Sequence, residues 1–143
     1  TPSTRPAAAR PDTVGPVTRV LIVFGAGGAG CTVRYLISMW AGERFGTAFP
    51  YGTLIVNLIG AFLMTFFMEL SLRLVAFPEE LRLALTTGFL GGLTTYSAFN
   101  YESSTLALDG QPSRSLLNVG VTLVGCAIAG LLGLGLARLV TRG

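Results

Sequence analysis

The chain has no histidine and no lysine, and it contains only two cysteines, Cys31 and Cys126. Both cysteines lie in apolar runs and no Cys-x-x-Cys pair occurs, which argues against a metal site or a disulfide and favours cysteines that behave as small apolar side chains. Charged residues make up only 12% of the 143 residues, whereas a soluble domain carries about 25%. With 51% apolar residues and a mean hydropathy of +0.66, the composition indicates an integral membrane protein.

The few charges also exclude some classes of function. The ten arginines are spread along the chain rather than clustered, so no nucleic-acid surface is predicted. No carboxylate lies at the centre of an apolar run, and a proton-coupled cation transporter would need an acid there.

Four apolar stretches are long enough to cross a bilayer, which takes about twenty residues. They cover residues 19–41, 51–75, 80–108 and 115–140. Because a spanning backbone must satisfy its own hydrogen bonds in lipid, each stretch is predicted to be a helix. The sequence therefore predicts an all-α membrane protein in which a four-helix subunit, residues 19–143, follows a disordered, proline-rich tail of residues 1–18.

The arginines near the span ends are distributed unevenly between the two sides. The side that carries both termini and the second connection has seven arginines: Arg5, Arg10, Arg19, Arg73, Arg82, Arg138 and Arg142. The opposite side has two, Arg44 and Arg114. Because cytoplasmic loops carry the excess of positive residues, both termini are predicted to lie inside.

Residues 20–30, VLIVFGAGGAG, fit the G-x-G-x-x-G dinucleotide fingerprint, and Glu43 lies roughly at the expected distance downstream. That motif works inside a βαβ unit, and nothing after Glu43 alternates strands with amphipathic helices. We favour a spanning helix whose Gly27 and Gly30 share a face with Arg34. Small residues on that face would allow another helix to pack closely.

Polar side chains inside a span are costly in lipid and usually mark a pathway. Those in the four spans are Asn57, the run from Thr94 to Ser97, the pair Asn118 and Thr122, and Arg34. Apart from Arg34 they are amides and hydroxyls, so each can donate a hydrogen bond. Any one of them can serve as an ordinary contact between helices, but together they indicate a path for a small anion. Phe99 follows Tyr96 by three residues, which places both rings on one side of a helix, where their positive edges can face that anion.

At these residues the chain resembles the Fluc/CrcB fluoride channels in length, in its four spans and in three motifs. The motifs are GAGGAGCTVRY at 25–35, YGTLIVNLIG at 51–60 and GFLGGLTTYSAF at 88–99. The resemblance as a whole extends over the chain except the tail and part of the fourth span. The resemblance implies a passive channel, not an enzyme, that exports fluoride from the cytoplasm across the bacterial cytoplasmic (inner) membrane.

The resemblance further implies an antiparallel dual-topology dimer with two pores along its interface, and a third helix that is broken at its centre. Backbone carbonyls at the break, those of Gly91 and Thr94, would hold a structural Na⁺. A homodimer is expected, and the arginine bias leaves open a heterodimer with an oppositely oriented paralogue.

The resemblance also assigns residues to the fluoride path. They are Asn57, Tyr96, Ser97, Phe99, Asn118, Thr122 and Arg34. Asn57 and Ser97 match the pore asparagine and the hydroxyl that follows the break. Three positions depart from the family pattern, because Tyr96, Ala98 and Asn118 stand where phenylalanine, threonine and tyrosine are common.

Two other functions remain open at this point. A small multidrug-type transporter is also a short four-helix antiparallel dimer, but it needs a membrane-embedded glutamate in its first helix, and residues 19–41 contain none. A membrane scaffold without transport would leave the clustered hydrogen-bond donors unexplained.

Overall fold

The computed structural model describes residues 14–74 and 76–142, and all regular structure in these ranges is helical. The elements are α1 (Pro16–Phe45), α2 (Tyr51–Arg73), α3 (Glu79–Leu83), a π-helical segment (Ala84–Leu90), α4 (Gly91–Leu93), α5 (Tyr96–Leu108) and α6 (Pro112–Val140). The prediction of an all-α protein is confirmed for these residues. Of the predicted tail, residues 1–13 lie outside the described part of the chain, and α1 already begins at Pro16.

Three of the helices, α1, α2 and α6, are long and apolar enough to cross a membrane. Many of their large apolar side chains face outward, as Phe24 does with 80% of its surface exposed and Leu131 with 68%. Such side chains suit contact with lipid, and together the three helices make this a multi-pass membrane protein. The predicted span 80–108 is divided among shorter helical elements in the structure.

The residues at the two ends of α1 account for where this helix begins and ends. α1 has Pro16 in its first turn, where the missing N–H costs nothing. It ends at Gly46, whose positive φ of 79° allows its N–H to bond the carbonyl of Gly42. α1 is longer than the predicted 19–41 because the prediction followed hydropathy, whereas Glu43 and Arg44 continue the helix past the apolar run.

Helices α2 and α6 run parallel and pack closely. Their facing pairs keep the same order along both helices, from Leu58 beside Gly125 to Glu69 bonded to Arg138. The approach depends on small residues, since a Cβ added at Gly133 would collide with the carbonyl oxygen of Phe62. The two helices therefore form one wall of the bundle.

The glycines of the fingerprint-like stretch lie in the middle of α1, and residues 16–24 before them are helical rather than a strand. A Cβ at Gly30 would collide with the carbonyl oxygen of Phe89, and one at Gly92 would collide with that of Gly27. The expectation that these small residues admit a close neighbour is confirmed, and the neighbour is the chain that runs from the π-helical segment into α4.

The chain between Glu79 and Leu108 changes conformation at its middle. α4 ends at Leu93, and its C-cap residue, Thr94, is extended, with ψ 153°. Thr95 is also extended, with φ −151° and ψ 117°. α5 then begins at Tyr96. Leu90 and Leu93, just before the extended residues, are buried together with Val56 of α2. This packing holds the end of α4 in place.

We expect Gly133→Ala to lower the free energy of unfolding by about 1–3 kcal/mol, because the new methyl group meets backbone that cannot give way. Gly135→Ala is the matched control on the same helix, since nothing lies within 4 Å of a Cβ there. Thermal unfolding in detergent measures both variants. Equal midpoints would contradict the packing described for α2 and α6.

Candidate functional site

The side chain of Asn57 on α2 forms two hydrogen bonds with the backbone of Thr95. Asn57 Nδ2 donates to the carbonyl oxygen of Thr95 at 3.0 Å, and the N–H of Thr95 donates to Asn57 Oδ1 at 2.8 Å. Thr95 has only 9% of its surface exposed, so these backbone groups would otherwise be buried without partners. Asn57 therefore supplies the pairing that the extended backbone cannot provide for itself.

Beside this pairing, the two carbonyl groups that the family resemblance implied as cation ligands lose their helical partners. In a continuous α-helix the N–H of Thr95 would bond the carbonyl of Gly91, but here it donates to Asn57. The N–H of Ala98 would likewise bond the carbonyl of Thr94, but it donates at 3.2 Å to Oγ1 of Thr95, the N-cap of α5. The carbonyls of Gly91 and Thr94 thus lose their regular helical partners.

Beside the extended residues lies an open cavity of about 380 Å³ between α2, α5 and α6. Its lining residues are Asn57, Gly60, Ala61, Met64, Thr94, Thr95, Tyr96, Phe99, Thr122, Leu123 and Cys126. None of these carries a charged side chain, while several present amide or hydroxyl groups. The cavity thus combines apolar walls with neutral hydrogen-bond donors.

Four of the residues predicted to line the fluoride path meet at this cavity: Asn57, Tyr96, Phe99 and Thr122. The rings of Tyr96 and Phe99 are neighbours, with centroids 5.7 Å apart and planes tilted by 52°. Phe99 is buried, at 6% exposure, whereas Tyr96 is 74% exposed. One ring therefore belongs to the interior of the subunit and the other to its open side.

Asn118 is almost completely buried, at 1% exposure, and is not part of the cavity lining. It donates to Ser103 Oγ at 2.9 Å, and its Oδ1 accepts from Thr122 Oγ1 at 3.4 Å. Ser115 Oγ also donates to the carbonyl of Ser103, at 2.7 Å. This network joins α5 to α6, and it places Asn118 one helical turn from the cavity behind Thr122.

Two further predicted residues lie away from the cavity lining. Ser97 is exposed, with its Oγ 3.2 Å from Thr95 Oγ1. Arg34 is half-buried on α1, where Nη2 contacts Cys31 Sγ at 3.7 Å. Within the described subunit neither side chain lines the cavity, although the hydroxyl of Ser97 contacts that of Thr95.

The sequence alone assigned no role to Glu102, which directly follows the uncharged run that ends at Tyr101 but lies inside the predicted span 80–108. α5 continues to Leu108, so Glu102 lies within this helix, one turn after Phe99. Oε1 accepts a hydrogen bond from Thr53 Oγ1 at 2.7 Å, while Oε2 is buried with no partner among the described residues. The spacing of three residues from Phe99 is the signal that would have indicated this shared face.

Glu102 and Thr53 also line a second cavity, of about 410 Å³, next to the loop between α1 and α2. Thr53 precedes Asn57 by one turn of α2, just as Phe99 precedes Glu102 on α5. The two cavities therefore lie one after the other along the same pair of helices, and a carboxylate is found only at the second.

The family model described as CrcB-like protein, Camphor Resistance (CrcB), matches residues 21–134. This range includes every polar residue that lines the two cavities. The chain belongs to the CrcB family. This confirms the family that the three motifs predicted.

Several curated relatives of this CrcB protein carry the name fluoride-specific ion channel FluC. The one from Citrifermentans bemidjiense is 49% identical over 112 residues, 78% of this chain and 90% of the relative. That from Geobacter metallireducens is 47% identical over 118 residues, 82% and 94% of the two chains. That from Sorangium cellulosum is 45% identical over 121 residues, 84% and 95%. The family is one of ion channels, not of enzymes.

We expect Asn57→Leu to lower the free energy of unfolding by about 1–3 kcal/mol for each backbone group of Thr95 that loses its partner. The side chain is similar in size, so the loss comes from hydrogen bonding rather than from a cavity. Asn100→Leu, on the exposed face of α5, is the control and should leave the thermal midpoint in detergent nearly unchanged. Equal midpoints for the two variants would show that Asn57 does not support the extended residues.

Proposed function

We propose that this CrcB protein is a fluoride-selective channel through which fluoride leaves the cytoplasm by passive diffusion. The observation that carries the proposal is the cavity beside Thr94 and Thr95, where neutral donors and two aromatic rings meet without a charged side chain. The printed name of the relatives, fluoride-specific ion channel, agrees with this chemistry.

The cavity suits a small anion for physical reasons. Fluoride is strongly hydrated, so a path through a membrane must replace its water with other donors. Thr122 can donate through its hydroxyl, Asn57 has a second N–H on Nδ2, and the ring edges of Phe99 add weak positive contacts. Because no charged side chain of the cavity binds the ion directly, binding stays weak enough for the ion to leave, which conduction requires.

We further propose that the carbonyls of Gly91 and Thr94 bind a structural Na⁺. Carbonyl oxygens released from a helix at membrane depth can coordinate a cation, and these two have lost their regular partners to Asn57 and Thr95. They also lie at the C-terminal end of a helical run, which favours positive charge. A bound Na⁺ would supply a fixed positive charge close to the anion path.

The proposed assembly is an antiparallel dual-topology homodimer in the bacterial inner membrane, with the segment 80–108 as a broken third span. Gly91 and Tyr96 support this assembly, because both are exposed although one is a proposed ligand and the other lines the cavity. A second copy packed on this face would close the open side of the cavity. An oppositely oriented paralogue could take the same place.

The small multidrug-type transporter gains no support from the helices. The one acid of α1, Glu43, is exposed near the end of that helix rather than embedded at its centre. We therefore keep the fluoride channel as the proposed function.

Purified protein in liposomes is expected to release fluoride, but not chloride, down a gradient, as measured with ion-selective electrodes. Phe99→Ile should slow fluoride release about tenfold, since losing about 1.4 kcal/mol of ring-edge contact corresponds to that factor. Phe24→Ile, at an exposed position on α1, is the control and should conduct like the unaltered protein. Absence of fluoride release from folded, dimeric protein would refute the channel.

Na⁺ is expected to raise the thermal midpoint of protein purified without Na⁺, whereas N-methylglucamine at equal ionic strength should not, because only a bare small cation fits between carbonyls. Thr95→Val should abolish this rise, since without Oγ1 the N–H of Ala98 is available to the carbonyl of Thr94 again. Thr32→Val, which removes an exposed hydroxyl on α1, is the control. A midpoint insensitive to Na⁺ in the unaltered protein would contradict the proposed site.

A further inference from the structure

A second polar cluster lies away from the cavity, where α2 and α6 end side by side. Oε1 of Glu69 accepts hydrogen bonds from Nε of Arg73 at 2.7 Å and from Nε of Arg138 at 2.9 Å. Arg73 is the last residue of α2, and Arg138 lies in the last turn of α6. Since both helices are membrane-spanning candidates, the cluster lies at the boundary between the apolar interior of the membrane and its headgroups.

The geometry of this cluster differs from that of an ordinary surface ion pair, which contributes little. The side chain of Glu69 is only 13% exposed, whereas those of Arg73 and Arg138 are 40% and 51% exposed. The acid is thus the buried anchor, and the two guanidinium groups lie outside it. Anchoring through Nε fixes each planar group without using its terminal nitrogens.

The cluster keeps one positive charge in excess, because a single carboxylate faces two arginines. The terminal nitrogens of Arg73 and Arg138 have no hydrogen-bond or ion-pair partner among residues 14–74 and 76–142. Two guanidinium groups held together in this way offer several N–H donors to one anion with several oxygens, and phosphate is the group that such forks match best.

The place of the cluster points to the source of that phosphate. At the end of two spanning helices the groups at hand are lipid headgroups, and basic sites between such helices bind anionic ones. The same end of the bundle also carries Arg19, Arg82 and Arg142 against two acids, Glu79 and Glu80. The charged side chains around the cluster therefore add one further positive charge, which favours an anionic lipid over a zwitterionic one.

We propose that Glu69, Arg73 and Arg138 form a binding site for the phosphate of an anionic phospholipid such as phosphatidylglycerol. The two arginines bind the phosphate oxygens. Glu69 is the positioning residue that holds both guanidinium groups where α2 and α6 end side by side. This site is separate from the proposed fluoride path and does not depend on it.

Native mass spectrometry of the full chain in detergent, with equal amounts of phosphatidylglycerol and phosphatidylcholine, tests the site. The unaltered protein is expected to retain phosphatidylglycerol about fivefold better, the factor that corresponds to about 1 kcal/mol for one arginine charge near the membrane surface. Equal retention of the two lipids would overturn the proposal.

The variant with Arg73→Gln and Arg138→Gln should lose this preference. Its matched control is the pair Arg44→Gln and Arg114→Gln at the opposite end of the bundle, which should keep it. If the first variant does not fold, Arg138→Gln alone tests the same loss, because the bond between Arg73 and Glu69 within α2 remains. A preference that survives in these variants, or that falls equally in the control, would overturn the site.

Inorganic phosphate distinguishes the headgroup from a free anion. It should raise the thermal midpoint of the unaltered protein less than phosphatidylglycerol does, because it lacks the acyl chains that lie along α2 and α6. If inorganic phosphate stabilises the protein as strongly, and Arg138→Gln removes that effect, the site takes free phosphate and the lipid proposal is wrong.

Discussion

A backbone that leaves the helical path inside a membrane has no water with which to form hydrogen bonds. In this protein the side chain of one asparagine supplies those hydrogen bonds instead. Asn57 presents a donor and an acceptor to Thr95 and so replaces the missing helical bonds. Its fit depends on the position of α2, because the amide must reach across to another segment of the chain. The extended residues and the released carbonyl of Gly91 depend on this contact, and the cavity lies beside it. The carbonyl of Thr94 is released by the N-cap of α5.

Close packing of small residues holds α2 and the segment around Thr95 in the relative position that this contact needs. On one side, glycines let α6 lie directly against α2, and on the other, glycines of α1 accept the chain that leads into α4. Gly60 contributes most directly, since a Cβ there would collide with the side chain of Thr94. Because several of these contacts leave no room even for a methyl group, little freedom remains for the segment between α4 and α5.

The sequence was sufficient for the membrane class, three of the four predicted spans and the family, since these depend on composition, hydropathy and ordered motifs. It was insufficient for contacts that depend on how each helix is rotated. Asn118 could be placed at membrane depth, but not in a network with Ser103. Glu102 lay inside the predicted span 80–108, but its burial beside Thr53 depends on how α5 is rotated. For the same reason the partner of Asn57 could only be found in three dimensions.

The last helix supplies Thr122, Leu123 and Cys126 to the cavity, and it packs in parallel on α2, which is made much earlier in translation. The cavity therefore has no complete wall while the chain is still being synthesised. A chain that ends before α6 leaves Asn57 without this neighbouring helix in lipid, where uncovered polar groups are costly. The cavity of the subunit is thus complete only after α6 has been made and has packed on α2.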